Sequence, residues 1–320
     1  MKSRVTAIAH PNIALSKYWG KAPGDLLPAT PSLSLTLGPF RTETQLTRSS
    51  SGGLRLRLNG GPASPEELQR LHRVLHAFGA HDIVQSGGLE VESTNNFPTA
   101  SGLASSASGL AAFALGLAAL LGQDGDKERI AAAAARGSMS AARSVWAGYV
   151  EMHADGQCLH VAPAAVHPSI EMAVVVAVMT ASRKSLSSSA GMRITRERSA
   201  LYSAWTQTAL ELHQRAKAAL RLGEFNALGE ALEQSSFAMH GAALAAGVMY
   251  LFPQSLMIAD EVRAWRESGP CGYVSFDAGP HPKVFCASVD AEAIAERLAA
   301  LPGVLQVHVL RPAEGARLVS

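Results

Sequence analysis

The chain has 320 residues, 48% of them hydrophobic and 17% charged, and 28 Lys+Arg against 26 Asp+Glu leave a formal charge of +2. That length suffices for two domains of ordinary size, or one large one, with a substantial core. The composition excludes a disordered charged tail, and the near balance of charge gives no basis for a nucleic-acid binder working through a concentrated basic surface. Cys158, Cys271 and Cys286 are too few and too scattered for a disulfide framework or a thiolate metal cluster, and they suit a reducing compartment. No signal-peptide core follows the first residues. The most apolar run, Gly109 to Leu121, is shorter than the roughly 20 residues a bilayer span needs. It reads as a buried helix, and the protein as cytoplasmic without membrane partners.

In chain order, Val5 to Ala9 is a strand ended by Pro11, and Leu33, Leu35 and Leu37 alternate with polar residues as in a half-buried strand. Thr42 to Thr47 and Leu54 to Leu58 repeat that period across the turn-rich Ser49 to Gly53, which predicts a hairpin. Pro65 opens a helix to about Phe78, with Glu66 and Glu67 in its first turn. A strand at Leu89 and Val91 leads through Asn95-Asn96-Phe97-Pro98 and a Gly/Ser segment into the long apolar helix. A helix over Asp126 to Arg136 is broken by Gly137, and a shorter one restarts toward Trp146. Val150 to Met152 and Leu159 to Ala162 are strands turning at Asp155-Gly156. Beyond Pro163 to Pro168 come a buried strand (Met172 to Met179), a polar stretch (Thr180 to Ser189) and helices over Ser199 to Leu222, Glu224 to Ala246 and Pro253 to Glu267. Strands at Gly272 to Phe276 and Lys283 to Ala287, a helix at Ala291 to Leu301 and a strand at Val304 to Val309 close the chain. Hairpins and helices without regular alternation predict an α+β fold in two lobes, residues 1–167 and 168–320.

Five segments could carry chemistry. In Pro98-Thr99-Ala100-Ser101-Gly102-Leu103-Ala104-Ser105-Ser106-Ala107-Ser108-Gly109, small residues open a helix whose first amides lack intrahelical acceptors. Those amides and hydroxyls can surround a phosphate, although a serine-capped helix packed through alanines has the same composition. No Gly-Lys-Ser/Thr follows, so it is not a Walker A loop. Asn12 to Lys21 brackets Tyr18 and Trp19 with Lys17 and Lys21, suiting an anionic substrate or simply a solvated turn. Around Ser138 and Ser140, Arg143 sits beside an apolar run, where it needs either an anionic ligand or an internal acidic partner. Ser182 to Arg193 mixes cations and hydroxyls, as an anion-binding loop or a plain serine-rich one. Asp277, after a buried strand, either caps its own turn or projects into a cleft as a base or a partner for a lysine. His72 and His76 lack the Glu and third ligand of a zinc site.

Together these segments resemble the diphosphomevalonate decarboxylases of the GHMP small-molecule kinase superfamily. The resemblance runs nearly end to end through Lys-Tyr-Trp-Gly-Lys, Asn-Asn-Phe-Pro-Thr-Ala with Gly-Leu-Ala-Ser-Ser, Gly137 to Ser144, Ser187 to Met192 and Phe-Asp-Ala-Gly-Pro. It implies a ribosomal-protein-type N-terminal lobe, a C-terminal lobe derived from the ferredoxin-like fold, the site between them, ATP and Mg²⁺, and a homodimer. The implied reaction phosphorylates the 3-hydroxyl of (R)-5-diphosphomevalonate and releases phosphate and CO₂ to give isopentenyl diphosphate. Carried over by position, Asp277 is the base or orienting group with Lys17 beside it, and Arg143 meets the C1 carboxylate. Asn12, Tyr18, Lys21, Ser138, Ser140, Ser188 and Arg193 contact the substrate. Asn95, Pro98, Ser101, Gly102, Leu103, Ala104, Ser105, Ser106 and Ser108 surround the ATP phosphates. The sequence departs from the pattern at His281 (usually asparagine), at Ser189 (arginine or threonine in many relatives) and at Ala22-Pro23. All three fall near the expected phosphate end of the substrate. A phosphomevalonate decarboxylase, a 3-kinase without decarboxylation and an inactive binding module are the alternatives.

Overall fold

The structure is a computed structural model that describes residues 2–22, 24, 27–85, 87–97, 105–180 and 186–319. The first half runs β1 (Arg4–Ala9), β2 (Asn12–Ser16), β3 (Ser32–Gly38), β4 (Thr42–Ser49), β5 (Gly53–Leu58) and β6 (Gly61–Pro62). Then come α1 (Pro65–Ala77), α2 (His81–Gln85), β7 (Gly88–Asn95), α3 (Ser105–Leu120), α4 (Lys127–Gly137), a 3₁₀ turn (Met139–Val145), β8 (Tyr149–Asp155) and β9 (Cys158–Pro163). The second half has β10 (Met172–Val178), α5 (Ser188–Arg198), α6 (Tyr202–Leu222), α7 (Phe225–Ala245) and α8 (Pro253–Ser268). It ends with β11 (Gly272–Ser275), β12 (Lys283–Ala287), α9 (Ala291–Ala299), β13 (Gln306–Pro312) and β14 (Arg317–Val319).

Two sheets organise these elements. One has the order β14-β1-β4-β7-β5-β6, and the other runs β11-β12-β10-β13-β3-β8-β9 with β2 also paired to β3. The predicted hairpin of β4 and β5 does not form. β7 lies between them, antiparallel to β4 and parallel to β5. Its Leu89 and Val91 are buried in the sheet's core, and a central strand satisfies both neighbours' backbone groups where a two-stranded ribbon leaves two open edges.

α3 is apolar on every side and buried on every side, packed on β1 and β4 and against α4 and the 3₁₀ turn. Its Phe113 is 1% exposed, a burial that contributes about 1.5–3 kcal/mol. Start signals hold where the sequence offers them. Ser64 and Glu67 form a reciprocal capping box on α1, and Asp126 accepts from the Arg129 amide at the start of α4. The second sheet is covered by α6 and α7 on one face and by α8 and α9 on the other. Its strand β13 joins β3 through Arg311↔Gly38 and Pro312↔Leu37. The final strand β14 returns to pair with β1. Helix α5 forms where the sequence predicts no helix, at the end of the polar stretch and before the helix expected from Ser199. Among the described residues, no helix is long and apolar enough to cross a membrane.

Candidate active site

Where the two halves meet, a cleft of about 1610 Å³ is lined by Lys17, Tyr18, Lys21, Ser105, Ser106, Ser138, Ser140, Arg143, Ser188, Asp277 and His281, among others. Helix α7 sets its central pair. Ser235 accepts from the Lys17 backbone amide at 2.9 Å, while its neighbour Ser236 accepts from the Phe276 amide at 2.8 Å. Two consecutive hydroxyls on one helix therefore register the end of β2 against the segment that carries Asp277. A register shift between Ala14 and Ser16 in the β2–β3 pairing immediately precedes Lys17.

Lys17 Nζ donates to Asp277 Oδ1 at 2.6 Å and to the Ala14 carbonyl at 2.9 Å. The second carboxylate oxygen faces Lys283 Nζ at 3.3 Å. Burial alone would raise the Asp277 carboxyl, but the charges and hydrogen bonds of Lys17 and Lys283 outweigh it and hold it well below the usual carboxylate range. For Lys17 the balance tips the other way. Burial lowers its ammonium, Asp277 opposes that, and Lys283 and Arg143 add to it. His281 is buried and lowered to about 4 by burial and by Lys283, and its Nδ1 accepts from the Met179 amide at 3.0 Å. The ring's proton thus sits on Nε2, the nitrogen left for the cleft.

Arg143 is 4% exposed, and its guanidinium donates to Asn12 Oδ1 at 3.1 Å and Ser32 Oγ at 2.9 Å. Burial lowers it to about 10, which leaves it charged at neutral pH. Both partners are neutral, and among the described residues it has no acidic partner at salt-bridge distance. Five N–H groups are more than these two bonds use. Asn12 in turn donates to the Ser140 carbonyl at 3.0 Å and Ser144 Oγ at 2.8 Å, so it orients Arg143 with its own amide fully engaged. Ser138 and Ser140 lie 3.1 Å apart, hydroxyl to hydroxyl, on the same wall. Burial pushes the Tyr18 phenol up to about 12, so it is a neutral donor.

At the end of the cleft near α5, Ser187 caps the helix through the Ala190 amide, and Ser188 follows it into the lining. Trp19 Nε1 donates to Thr195 at 3.0 Å, and Trp205 Nε1 donates to the Trp19 carbonyl at 2.9 Å, pinning Lys17–Lys21 to α5 and α6. Gly20 has φ +123°, and a Cβ there would stand 2.1 Å from Tyr202 Oη, so this turn requires glycine. The structure does not bring Arg193 to the cleft. It is exposed and paired with Glu197 one turn along α5 at 3.0 Å.

Ser105 and Ser106 face the cleft from the start of α3. Ser108 does not, being buried against Thr42 Oγ1 at 2.6 Å; Thr42 also donates to Asn95 at 2.6 Å, and Asn95 lines a separate small pocket that Ser105 and Ser106 also border, outside the cleft itself. Pro98, Ser101, Gly102, Leu103 and Ala104 lie outside the described residues. No group of three or more His, Cys, Asp or Glu among the described residues could hold a metal by itself. Three residues of this site escaped the sequence reading: Lys283, Ser235 and Ser236.

Two lobes with a serine-rich helix start facing a buried lysine paired with an aspartate define a GHMP-kinase-type fold, a class of small-molecule phosphoryl-transfer scaffold. The diphosphomevalonate decarboxylase-like N-terminal domain matches residues 9–162, and the mevalonate 5-diphosphate decarboxylase C-terminal domain matches residues 174–308. Diphosphomevalonate decarboxylase of Bos taurus is 35% identical over 310 residues, 88% of this chain and 76% of its own length. The mevalonate diphosphate decarboxylase of Staphylococcus aureus superposes with a TM-score of 0.92 over 100% of this chain and 99% of its own, at 30% identity. The protein MDDEF, in complex with MVAPP, AMPPCP and magnesium, does so at 0.89 over 99% of each chain, with 31% identity. The chain belongs to the diphosphomevalonate decarboxylase family.

Proposed function

We propose that this protein uses ATP to convert (R)-5-diphosphomevalonate to isopentenyl diphosphate, ADP, phosphate and CO₂. The observation that carries the reading is the buried cluster of Lys17, Lys283 and Arg143 around a single carboxylate, opening onto the same cleft as Ser105 and Ser106. Such a cluster is short of negative charge, and a substrate carrying a carboxylate and phosphates supplies it. Asp277, ionised, accepts a hydrogen bond from the 3-hydroxyl. Held by two ammoniums it is too weak a base to remove the proton early, so its work is orientation. In a loose phosphoryl transfer, positioning and charge dominate in any case.

The γ-phosphorus bond to ADP breaks as the bond to the 3-oxygen forms, and late in that step the hydroxyl's proton passes along its hydrogen bond to Asp277 and from there to solvent. The C3–O bond then breaks, phosphate leaves, and the C1–C2 electron pair becomes the C2–C3 double bond as CO₂ departs. Hydroxide would leave a tertiary carbon poorly, and phosphorylation removes that obstacle. Lys17 meets the developing charge from within a dry site, and Arg143 holds the C1 carboxylate so that the breaking bond is aligned. Tyr18, Lys21 and Ser188 take the 5-diphosphate, with Ser138 and Ser140 along the phosphoryl path. Mg²⁺ supplies charge neutralisation on the phosphates. The Ser105 and Ser106 hydroxyls, which face the cleft, would be its ligands from this chain. The division into lobes near residue 167, with β14 returning to the first sheet, and a cytoplasmic homodimer belong to the same reading.

Purified protein with ATP and each mevalonate phosphate in turn, with ADP and CO₂ followed together, tests this. Release of both from the diphosphate supports it. Release from the monophosphate selects a phosphomevalonate decarboxylase, a reading favoured by the displacement of Arg193 from the cleft and by Ser189. ADP without CO₂ selects a kinase, and Asp277→Asn should stop turnover while nucleotide binding survives.

A further inference from the structure

We infer that Lys283 is a positioning residue for the reaction, fixing the second oxygen of Asp277 from beneath the cleft; this rests on the role proposed for Asp277. Lys283 opens β12, and its neighbours Val284, Phe285 and Cys286 are fully buried. It is itself 1% exposed and is absent from the cleft lining, so it reaches substrate only through another group. Its register partner is Ser275, two residues before Asp277. From there Nζ meets Asp277 Oδ2 and the His281 carbonyl, each at 3.3 Å.

An ammonium at such a position gives up its hydration, and an apolar residue would fill a strand of this kind without that cost. The return is geometric. Lys17 alone holds Oδ1 and leaves the carboxylate free to turn about its last torsion. With Lys283 on Oδ2 both oxygens are fixed, the plane is set, and the lone pair facing the cleft keeps one direction. Closing the hydrogen bonds of Lys283 on a carbonyl as well as on the carboxylate sets the ammonium's own direction in turn.

The groups facing Asp277 are Lys17 from the end of β2, Lys283 from β12, His240 from α7 and Arg143 from the 3₁₀ turn, with His281 from the loop before β12 acting on Lys283. Both histidines are held neutral, lowered to about 4 by burial first and then by the lysines. The ionisation of Asp277 therefore depends on the two ammoniums, and removing one moves it toward the ordinary carboxylate range.

The test compares Lys283→Met, Lys283→Arg and Asp277→Asn in full-length protein, with ¹³C carboxyl titration of Asp277 assigned by difference from Asp277→Asn. Lys283→Met should lower kcat on the order of a hundredfold through misorientation, with KM for ATP within about threefold of wild type. The ratio of its kcat/KM profile to wild type should fall at acid pH, and the carboxyl should titrate higher. Lys283→Arg should restore much of both. Unchanged kcat and an unmoved carboxyl in Lys283→Met, with Asp277→Asn inactive, overturn the inference alone. A fully active Asp277→Asn overturns the reading beneath it. If Lys283→Met does not fold, the carboxyl titration of Lys17→Met decides. A carboxyl still held low there supports Lys283 as the second anchor, and one at the ordinary value refutes it.

Discussion

Replacing Arg143 by lysine keeps the charge and removes the fork. In the native site, Nε and Nη1 are committed to Asn12 at 3.1 Å and Ser32 at 2.9 Å, leaving the remaining edge to face the cleft. A lysine ammonium has three donors on one point and cannot hold both neutral oxygens while also reaching a carboxylate. The loss is one charge-assisted hydrogen bond to the C1 carboxylate, about 1.5–3 kcal/mol, or roughly 10- to 150-fold in kcat/KM. Because the carboxylate is bound before as well as during phosphoryl transfer, most of that loss belongs in KM for the acid substrate, with KM for ATP little changed. Initial rates of ADP release, with each substrate varied in turn, read this directly. An analogue with a C1 carboxamide closes the cycle: wild type should lose a similar factor on it, and Arg143→Lys should lose little more. If the variant instead raised KM for ATP and left the acid substrate's kcat/KM alone, Arg143 would belong to the nucleotide and the assignment would be wrong.

His240 is buried with Nε2 unpartnered and is lowered to about 4, by burial first and then by Lys17. Its contribution to stability is complete above the unfolded histidine value near 6.5 and is lost as pH falls toward 4, the loss reaching roughly 2 kcal/mol by pH 5. His240→Leu should therefore show a shallower fall of Tm between pH 7 and pH 5 than wild type; an identical slope counts against this histidine. Glu233, on α7, accepts from Arg263 at 2.8 Å, from Arg266 and from the Val274 amide at 2.9 Å. Glu233→Ala should cost roughly 3 kcal/mol in urea unfolding, the low end for a broken buried pair because Arg263 keeps contact with water. A loss under about 1 kcal/mol would mean the network is ornamental. At Gly191 a Cβ would stand 2.1 Å from Tyr250 Oη and 3.1 Å from the Trp19 ring. Gly191→Ala should cost about 1–3 kcal/mol by overpacking and raise KM for the phosphorylated acid, since both rings frame Ser187 and Ser188. Thermal melts and steady-state kinetics check the two parts.

Much of this site was readable because charge in an apolar setting is conspicuous. Arg143 beside Ala141 and Ala142, and Asp277 after Tyr273 to Phe276, each break a buried run, and a break of that kind needs a partner or a ligand. Lys283 breaks one too, but at the first residue of a strand, where a lysine is ordinarily taken for the solvated end. The missed signal is the register: in an antiparallel pair of β11 and β12, Lys283 falls opposite Ser275. Ser235 and Ser236 gave still less warning, because hydroxyls inside a helix ordinarily bond back to their own turn. The β4–β5 hairpin failed for a related reason. Alternation identifies a strand and its buried face, yet it carries no information about which strand lies alongside, and the partner here, β7, comes more than thirty residues after β5's start. Helix α5 was hidden by its arginines and serines. Its buried side is only Gly191, Met192 and Thr195, too narrow a stripe to show as periodicity.

The electrostatics of the cleft fit a machine that works only when full. Lys17, Lys283 and Arg143 are each 4% exposed or less, and the one carboxylate among them pairs with the two lysines while Arg143 has only neutral partners. Buried cations with too few counter-charges repel one another, and that repulsion is part of what lowers Lys17. A globular protein selected for stability alone would lose one of them or gain an acid. Their persistence makes sense if the missing charge arrives with the substrate, so that carboxylate and phosphate oxygens complete a set the fold leaves open. The same deficit serves the chemistry. Phosphoryl transfer and the departure of phosphate both move negative charge toward this wall, and donors fixed in advance need no rearrangement to receive it. Asp277 is the exception that makes the arrangement specific. Within this cluster of cations it is the group that accepts a hydrogen bond instead of donating one, which suits an alcohol in contrast to a carboxylate or a phosphate.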